Sequence, residues 1–234
     1  MKFSSDVTVR LDDFMGGDEK TVRMARVSTK GAESQFEQSG GPGLIRFLMR
    51  EGHMVPFEHS VFTFFVHAPI FVTRQLLKHR ISSISEESGR YRELEPEFYI
   101  PADDRPLVQV GKTGDYKFVE GTDFDREMTG TTIEHVSFVA TREYNAMLEN
   151  GIAKEVARMV LPVNLYSSLY ITVNAVSLMN IIRLRTPNFG SHPQFEIDLM
   201  AQQMYAEFKN KMPLTAQAFA EMKGDVMYVH DDGE

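Results

Sequence analysis

The sequence predicts an α+β protein, with a small, mostly antiparallel sheet in the first half and a helical C-terminal half. Short segments rich in β-branched and aromatic residues, typical of strands, occur before residue 70. After residue 120 the chain consists of longer segments bounded by helix start and stop signals. Its 234 residues, 42% of them hydrophobic, and the absence of a low-complexity linker predict one domain over residues 1–234.

The first half begins with two predicted strands that flank a helix. VTVRLDD alternates apolar and polar residues, and HSVFTFFVH is the pattern of a buried strand. Between them, PGLIRFLMREG predicts a short helix that begins at Pro42 and stops at Gly52.

A further helix is predicted from Pro69, over PIFVTRQLLKHR. Its last turn would carry Lys78, His79 and Arg80, because cations are favourable at the negative end of a helix. RYREL is interpreted as a returning strand, and residues 101–116 as a surface loop.

Helices fill the second half. Thr122 and Asp125 form a capping-box pattern before a long helix, and IAKEVARMVL predicts a shorter one. VNLYSSLYITVNAVSLMNIIRLR, residues 163–185, is interpreted as the most apolar helix. Ser191 and Gln194 suggest a second capping box, and TAQAFAEMK predicts the last helix.

The composition excludes several classes of function. A formal net charge of −8 disfavours a general electrostatic grip on nucleic acid. The absence of cysteine excludes disulfides, thiolate metal sites and cysteine nucleophiles. The N-terminus lacks the apolar run of a signal peptide, and VFTFFVHAPIFV is too short to span a bilayer. We therefore expect a soluble cytoplasmic protein that binds neither nucleic acid nor membrane.

KHRISSISEESGRY concentrates hydrogen-bonding groups in one short segment of this acidic chain. Ser88, Gly89 and Arg90 offer a hydroxyl, a backbone N–H and a guanidinium to one phosphate, and Glu86 offers an acceptor to a sugar hydroxyl or ring N–H. This mixture suits a nucleotide. The alternative is an ordinary solvated turn after a helix.

Asn174 and Arg185 are eleven positions apart on the predicted apolar helix, whereas Asn180 lies on another side. Eleven residues are three turns plus about 20°, so the two share a face and are separated by roughly 16 Å along the axis. An arginine buried there needs an anionic or strongly polar partner. Alternatively, Arg185 caps the helix or pairs with an acidic neighbour, and Arg158 is either a phosphate ligand or a surface residue.

His53 and His59 are six positions apart, which is not a standard metal-ligand spacing on a helix or a strand. We interpret them as ligand-lining or core residues, and no metal site is predicted.

Four segments, taken together, resemble the flavin-dependent thymidylate synthases. RQLLKHRISSISEESGRY is similar to the signature R-H-R-x7-S of that family, with Lys78-His79-Arg80 followed after seven residues by Ser88. GHMVPFEHSVFTF, ARMVLPVNLYSSLYITVNAVSLMNIIRLR and SHPQFEI resemble its other segments in the same order. The resemblance extends from about Ala25 to Gln202.

This resemblance implies the fold and the reaction of that family. Its members convert dUMP to dTMP with methylenetetrahydrofolate as the carbon donor and a hydride from FAD that NADPH has reduced. They are homotetramers with active sites at subunit interfaces. The absence of cysteine fits, because the flavin carries the redox chemistry and no thiol attacks the uracil ring.

The resemblance also implies the site residues. Arg185 would be catalytic, polarising the pyrimidine and favouring ionisation at N3. The dUMP site would comprise Gln75, Lys78, Glu86, Glu87, Ser88, Gly89, Arg90, Arg185 and, from another subunit, Arg158. FAD would be met by His53, Val55, Lys78, His79, Arg80, Glu86, Asn174, Val176 and Asn180.

Three of these residues depart from the family pattern. Lys78 replaces an arginine and loses its planar fork, Val55 replaces a threonine or serine, and Val176 replaces an arginine. We therefore predict weaker retention of FAD than is typical.

Two other functions are compatible with the residues. A non-catalytic nucleotide-sensing protein that has lost flavin would bind dUMP alone. A metal-dependent nucleotide hydrolase would use His53, His59 and His79.

Overall fold

The computed structural model describes residues 1–30, 41–112 and 115–223 and confirms the α+β class. The chain divides into two compact units. The first unit comprises Met1–Asp6, Ala68–Thr73 and Glu86–Ser167, and the second comprises Val7–His67, Arg74–Ser85 and Ser168–Glu234. The single domain over residues 1–234 stays a prediction.

The strands are short, from three to nine residues. They are β1 (Lys2–Ser4), β2 (Thr8–Met15), β3 (Val61–Pro69), β4 (Ser83–Glu86), β5 (Glu97–Tyr99), β6 (Val108–Lys112), β7 (Asp115–Val119) and β8 (Tyr166–Asn174). The helices are α1 (Asp18–Lys30), α2 (Gly41–Arg50), α3 (Val55–Glu58), α4 (Ile70–Leu76), α5 (Asp123–Glu149), α6 (Lys154–Ala157), α7 (Ala175–Arg185), α8 (Phe195–Lys211) and α9 (Pro213–Glu221). Arg158–Val160 and Pro187–Phe189 form short 3-10 helices.

The largest sheet has the strand order β2-β3-β8-β4. β2 and β3 pair antiparallel. The hydroxyls of Thr63 and Thr172 lie 2.9 Å apart, and His67 Nδ1 lies 2.9 Å from Ser168 Oγ. Residue numbers therefore rise along β3 as they fall along β8, so these two strands are also antiparallel.

An aromatic core lies under this sheet in the second unit. Phe62 and Phe64 alternate with more exposed residues along β3 and are fully buried. The ring of Phe62 meets Phe208 of α8 at 6.0 Å, and Phe208 meets Phe219 of α9 at 6.4 Å, both edge-on. Helix α8 thus covers one face of the sheet, as period-two burial requires, and α9 packs against α8.

The first unit contains two small sheets and the long helix α5. β1 pairs parallel with β5, and β6 pairs antiparallel with β7. The predicted capping box is confirmed: Thr122 accepts a hydrogen bond from the Asp125 backbone N–H, and the Asp125 carboxylate accepts one from the Thr122 backbone N–H. The Thr122 hydroxyl, which donates to the Asp125 carboxylate at 2.7 Å, and then the Thr122 backbone N–H lower the pKa of Asp125 below its usual value.

The prediction of a single apolar helix over residues 163–185 is wrong. Its first part is strand β8, in which Leu169, Ile171 and Val173 are buried and alternate with more exposed residues. Only Ala175–Arg185 is helical, and the Asn174 side chain caps it by accepting a hydrogen bond from the backbone N–H of residue 177 at 2.8 Å. Because both parts of the segment are rich in apolar residues, the sequence pattern did not reveal the change from the two-residue period of a strand to the 3.6-residue period of a helix.

Other boundaries also differ from the predictions. The helix predicted from Pro69 ends at Leu76, so Lys78, His79 and Arg80 follow it rather than forming its last turn. RYREL is a turn and loop, whereas the strand in this region is β4. The segment predicted as a surface loop contains β6 and the start of β7, and the IAKEVARMVL helix is reduced to α6 and one 3-10 turn.

The second predicted capping box does not form. Gln194 precedes α8, but its side chain does not cap the helix. The hydroxyl of Ser191 donates instead to the Leu184 carbonyl at 2.7 Å. Helix α1 was not predicted, although Asp18 and Glu19 in its first turn are a start signal.

Candidate active site

Helix α7 positions the predicted catalytic arginine in the second unit. Its buried side chains are Ala175, Val176, Leu178, Met179, Ile181 and Ile182. At its start, the Ala175 N–H donates to the Ser60 carbonyl at 2.8 Å, and at its end Arg185 occupies the last helical position. A cation there is stabilised by the helix dipole. Asn174 and Arg185 thus remain at opposite ends of one helix, although half of the predicted helix is a strand.

The guanidinium of Arg185 is held by two uncharged acceptors. Its Nε donates to Nε2 of His79 at 3.1 Å, and its Nη2 points to the backbone carbonyl of Gln75 at 3.4 Å. In the described part of the chain, no carboxylate forms an ion pair with Arg185. Its partial burial lowers the pKa of Arg185 below the usual value of an arginine. A guanidinium is nevertheless cationic at neutral pH.

His79 is a buried, neutral partner for this cation. The residue is only 9% exposed. Burial, together with the charge of Arg185, lowers the pKa of His79 from 6.5 to about 4. The ring is therefore neutral at physiological pH.

Gln75 is held by a residue that the sequence analysis did not include in the site. Its side-chain Nε2 donates to Oε1 of Gln194, the residue before α8. Gln194 lies in SHPQFEI, one of the segments that carry the family resemblance, which was the available signal. Gln194 thereby fixes the orientation of the Gln75 amide, and Gln75 is a residue predicted to bind dUMP.

The predicted FAD residues of the second unit present mainly exposed polar groups. His53 is exposed and packs edge-on against Phe47, with ring centroids 6.0 Å apart. Lys78 and Arg80 are exposed, and neither forms an ion pair within the described ranges. Asn180 is exposed, and its Oδ1 accepts a hydrogen bond from Arg183 at 3.2 Å, which leaves its amide donors for a ligand. Cations, amide donors and an imidazole suit an anionic flavin dinucleotide.

The two valines among the predicted FAD residues differ in exposure. Val55 is 66% exposed, so it offers apolar surface but no hydroxyl. Val176 is 8% exposed and belongs to the anchoring face of α7. Neither side chain can donate a hydrogen bond.

The predicted phosphate loop lies in the first unit. The hydroxyl of Ser167 donates to Oε1 of Glu86 at 2.7 Å, which fixes that carboxylate. The hydroxyl of Ser88 accepts a hydrogen bond from the Arg90 backbone N–H at 3.3 Å. Arg90 Nε forms an exposed ion pair with Glu155 at 3.0 Å. The loop is therefore folded, and its arginine is shared with a carboxylate.

Glu87, the remaining predicted dUMP ligand of this loop, is paired with Arg92 at 3.0 Å. The pair is partly exposed, so its contribution to stability is small.

Arg158 lies beside this loop within one chain. A Cβ added to Gly89 would be 3.2 Å from Arg158 Cδ and 2.9 Å from Leu94 Cδ1. Two side chains therefore occupy the space into which a Cβ at this position would project. Arg158 and the loop are thus neighbours in the same subunit. In an active site shared between subunits, we therefore expect Arg158 and the loop to come from the same subunit.

The described residues 1–30, 41–112 and 115–223 contain no group of three His, Cys, Asp or Glu side chains that could hold a metal ion. Within the same ranges, no helix has both the length and the apolarity needed to cross a membrane.

Comparison with known proteins decides the family. The family model described as thymidylate synthase complementing protein matches residues 10–214. The chain belongs to this family. A curated relative from Streptomyces avermitilis, named flavin-dependent thymidylate synthase, is 49% identical over 93% of this chain and 92% of its own length. A relative of the same name from Thermotoga neapolitana is 44% identical over 94% of each chain. The predicted membership is confirmed.

Solved structures confirm the fold of this family. The chain is similar to a UMP/dUMP methylase, PolB from Streptomyces cacaoi, in crystal structures with 5-Br dUMP and with 5-Br UMP. In both comparisons the TM-score is 0.89 and the identity is 44%. The first covers 94% of this chain and 97% of that chain, and the second covers 95% and 97%.

Proposed function

We propose that this protein is an FAD-dependent thymidylate synthase that converts dUMP to dTMP without a cysteine nucleophile. The observation that carries the proposal is the partly buried guanidinium of Arg185, which the described carboxylates leave without an ion pair. Its charge is therefore available to a ligand. Family membership and the similarity to a dUMP methylase support the same substrate.

Arg185 is the proposed catalytic residue. Placed against the pyrimidine, its fixed positive charge would stabilise the negative charge that develops on the ring when N3 ionises. A ring with more negative charge is more nucleophilic at C5, the atom that must be methylated. Partial burial strengthens this effect, because the charge interacts through a medium less polar than water.

The loop 86–90 is proposed to bind the phosphate and sugar of a dUMP molecule in an active site shared between subunits. Ser88, Gly89 and Arg90 supply a hydroxyl, a backbone N–H and a guanidinium to the phosphate, and the neighbouring Arg158 supplies a second guanidinium. Glu86, fixed by a hydroxyl donor, is the acceptor for a sugar hydroxyl or ring N–H.

FAD is the proposed cofactor, with NADPH as reductant and methylenetetrahydrofolate as carbon donor. Reduced FAD would supply the hydride that brings the transferred carbon to the methyl level, and tetrahydrofolate would leave. FAD would be held by polar side chains: His53, Lys78, His79, Arg80, Glu86, Asn174 and Asn180. Because Lys78, Val55 and Val176 remove possible hydrogen-bond donors, we expect FAD to dissociate more readily than is typical.

A homotetramer with active sites at subunit interfaces is part of the proposal. Helix α5 supports it, because apolar side chains of this helix face solvent: Phe124, Met128, Val136 and Phe138 are 70%, 49%, 48% and 55% exposed. Such surface is typical of an interaction site. A cytoplasmic location remains our expectation.

Two other candidates are retained. UMP is a second candidate substrate, because the similar solved structure is described as a UMP/dUMP methylase and contains 5-Br UMP. A nucleotide-sensing protein that binds dUMP without flavin is the non-catalytic alternative.

Absorbance spectroscopy of the purified protein separates these candidates. With added FAD, we expect flavin bands that bleach on anaerobic addition of NADPH. They should return only when methylenetetrahydrofolate and a nucleotide are both present, with one dTMP formed per flavin reoxidised. Replacing dUMP by UMP tests the second substrate. A protein that takes up no flavin, yet is stabilised by dUMP, would be the nucleotide-sensing protein.

A further inference from the structure

The backbone of His79 is fixed on both sides of its side chain. Its N–H donates to the Leu76 carbonyl at 3.0 Å, and its own carbonyl accepts a hydrogen bond from the Ser82 hydroxyl at 2.7 Å. The ring is buried and meets Arg185 through Nε2. The imidazole is therefore held in one place at the end of a short, tied turn.

The contact with Arg185 defines the protonation of this ring. A guanidinium only donates hydrogen bonds, so His79 Nε2 must be the acceptor and the ring proton must lie on Nδ1. A second proton would remove the acceptor and place two cations in contact. The low pKa of His79, about 4, agrees with this geometry.

The two acceptors also determine which N–H groups of Arg185 remain. A guanidinium has five N–H donors in one plane. His79 takes the one on Nε, and the Gln75 carbonyl takes one on Nη2. Two donors on Nη1 and one on Nη2 stay available, and the plane that contains them is set by the His79 contact.

We propose that His79 is a positioning residue for Arg185. The lone pair on His79 Nε2 sets the plane in which the guanidinium of Arg185 meets the pyrimidine. This inference rests on the proposed function, in which Arg185 activates the base. It differs from the contact with FAD that the family resemblance implies for His79, because the ring nitrogen assigned here faces the arginine.

Two substitutions test this role in the FAD-loaded enzyme. His79→Gln keeps an acceptor near the position of Nε2, whereas His79→Leu removes it. A hydrogen bond to a charged group typically contributes enough for roughly a ten- to hundredfold effect. We therefore expect His79→Leu to lower kcat for dUMP methylation by about that factor and His79→Gln to restore most of it, with KM for dUMP changing less than kcat.

The flavin content of each variant separates this role from cofactor binding. If both variants lose FAD equally and have equal kcat at saturating FAD, His79 acts only through the flavin and the proposal is overturned. A double-mutant cycle adds a second criterion. At saturating FAD, His79→Leu should lower kcat much less in the Arg185→Ala background than in the wild type, and an equal loss in both backgrounds would contradict action through the arginine.

A measurement on the wild-type protein does not depend on activity. In ¹⁵N-histidine NMR spectra, His79 should be neutral at pH 6 with its proton on Nδ1, and Arg185→Ala should abolish this preference. A proton on Nε2 in the wild type would overturn the proposal. If the expected tautomer is found but no nucleotide is methylated, the proposed function fails while the His79–Arg185 contact stands.

Discussion

Alanine at Gly16 is expected to destabilise the protein more than alanine at the adjacent Gly17. Gly16 has φ +125°, and an added Cβ would lie 2.7 Å from Ser60 Cα. Carbon atoms in contact are normally about 3.5 to 4.0 Å apart. Ser60 cannot yield easily, because its N–H donates to the Phe57 carbonyl at 3.1 Å and its carbonyl accepts from the Ala175 N–H at 2.8 Å.

The magnitude follows from two separable costs. A positive φ that L-residues rarely adopt costs about 1 to 3 kcal/mol, and overpacking a dense site costs about another 1 to 3 kcal/mol. Gly17 has φ +124°, but the nearest atom to an added Cβ is 3.9 Å away. Gly17→Ala therefore carries only the conformational cost, whereas Gly16→Ala carries both, about 2 to 6 kcal/mol in total.

Urea unfolding of the two variants and the wild type measures both costs. We expect Gly16→Ala to lose at least about 1 kcal/mol more free energy of unfolding than Gly17→Ala, the lower limit of the overpacking cost. Equal losses in the two variants would refute the reasoning, because they would leave no cost for the contact with Ser60. Since the Ser60 carbonyl holds the first residue of α7, the folded Gly16→Ala enzyme should also have a lower kcat.

Three further predictions concern the candidate site. Gly89→Ala should weaken dUMP binding by up to about tenfold in calorimetry, because its methyl would lie 2.9 Å from Leu94 Cδ1 and 3.2 Å from Arg158 Cδ, so that both side chains would shift. Unchanged affinity would contradict a role of Arg158 beside Gly89 in binding dUMP. Glu155→Gln should tighten dUMP binding by up to about fivefold, since Arg90 would lose an exposed ion pair worth about 0.2 to 1 kcal/mol. Weaker binding would show that the pair positions the arginine. Between pH 6.5 and about 4, His79 is protonated in the unfolded chain but stays neutral in the folded state, so the free energy of unfolding falls as the pH falls. The wild type should thus lose more free energy of unfolding than His79→Gln as the pH falls through this range, and parallel pH profiles would exclude a buried neutral ring.

Misassignment of the apolar segment at residues 163–185 has a physical cause. Composition alone does not distinguish a strand such as β8 from a helix, because a short, largely apolar segment is compatible with either. Asn174 carried the missing information. It is a favourable helix N-cap at the junction, and the cap it forms begins α7 there.

Several properties of this protein are local and can be inferred from the sequence alone. The Thr122–Asp125 cap joins residues three positions apart. The segment with Lys78-His79-Arg80 and Ser88 indicates the family from local sequence alone. The net charge and the absence of cysteine follow from composition. These features require no knowledge of how distant segments meet.

The tertiary structure alone decided how the site residues act on one another. His79 and Arg185 are 106 positions apart, and Gln75 and Gln194 are 119 apart, so no local propensity predicts either contact. Burial makes His79 neutral and an acceptor, although histidine in water titrates near pH 6.5. A pKa depends on the surroundings of the side chain, and those surroundings exist only after the chain has folded.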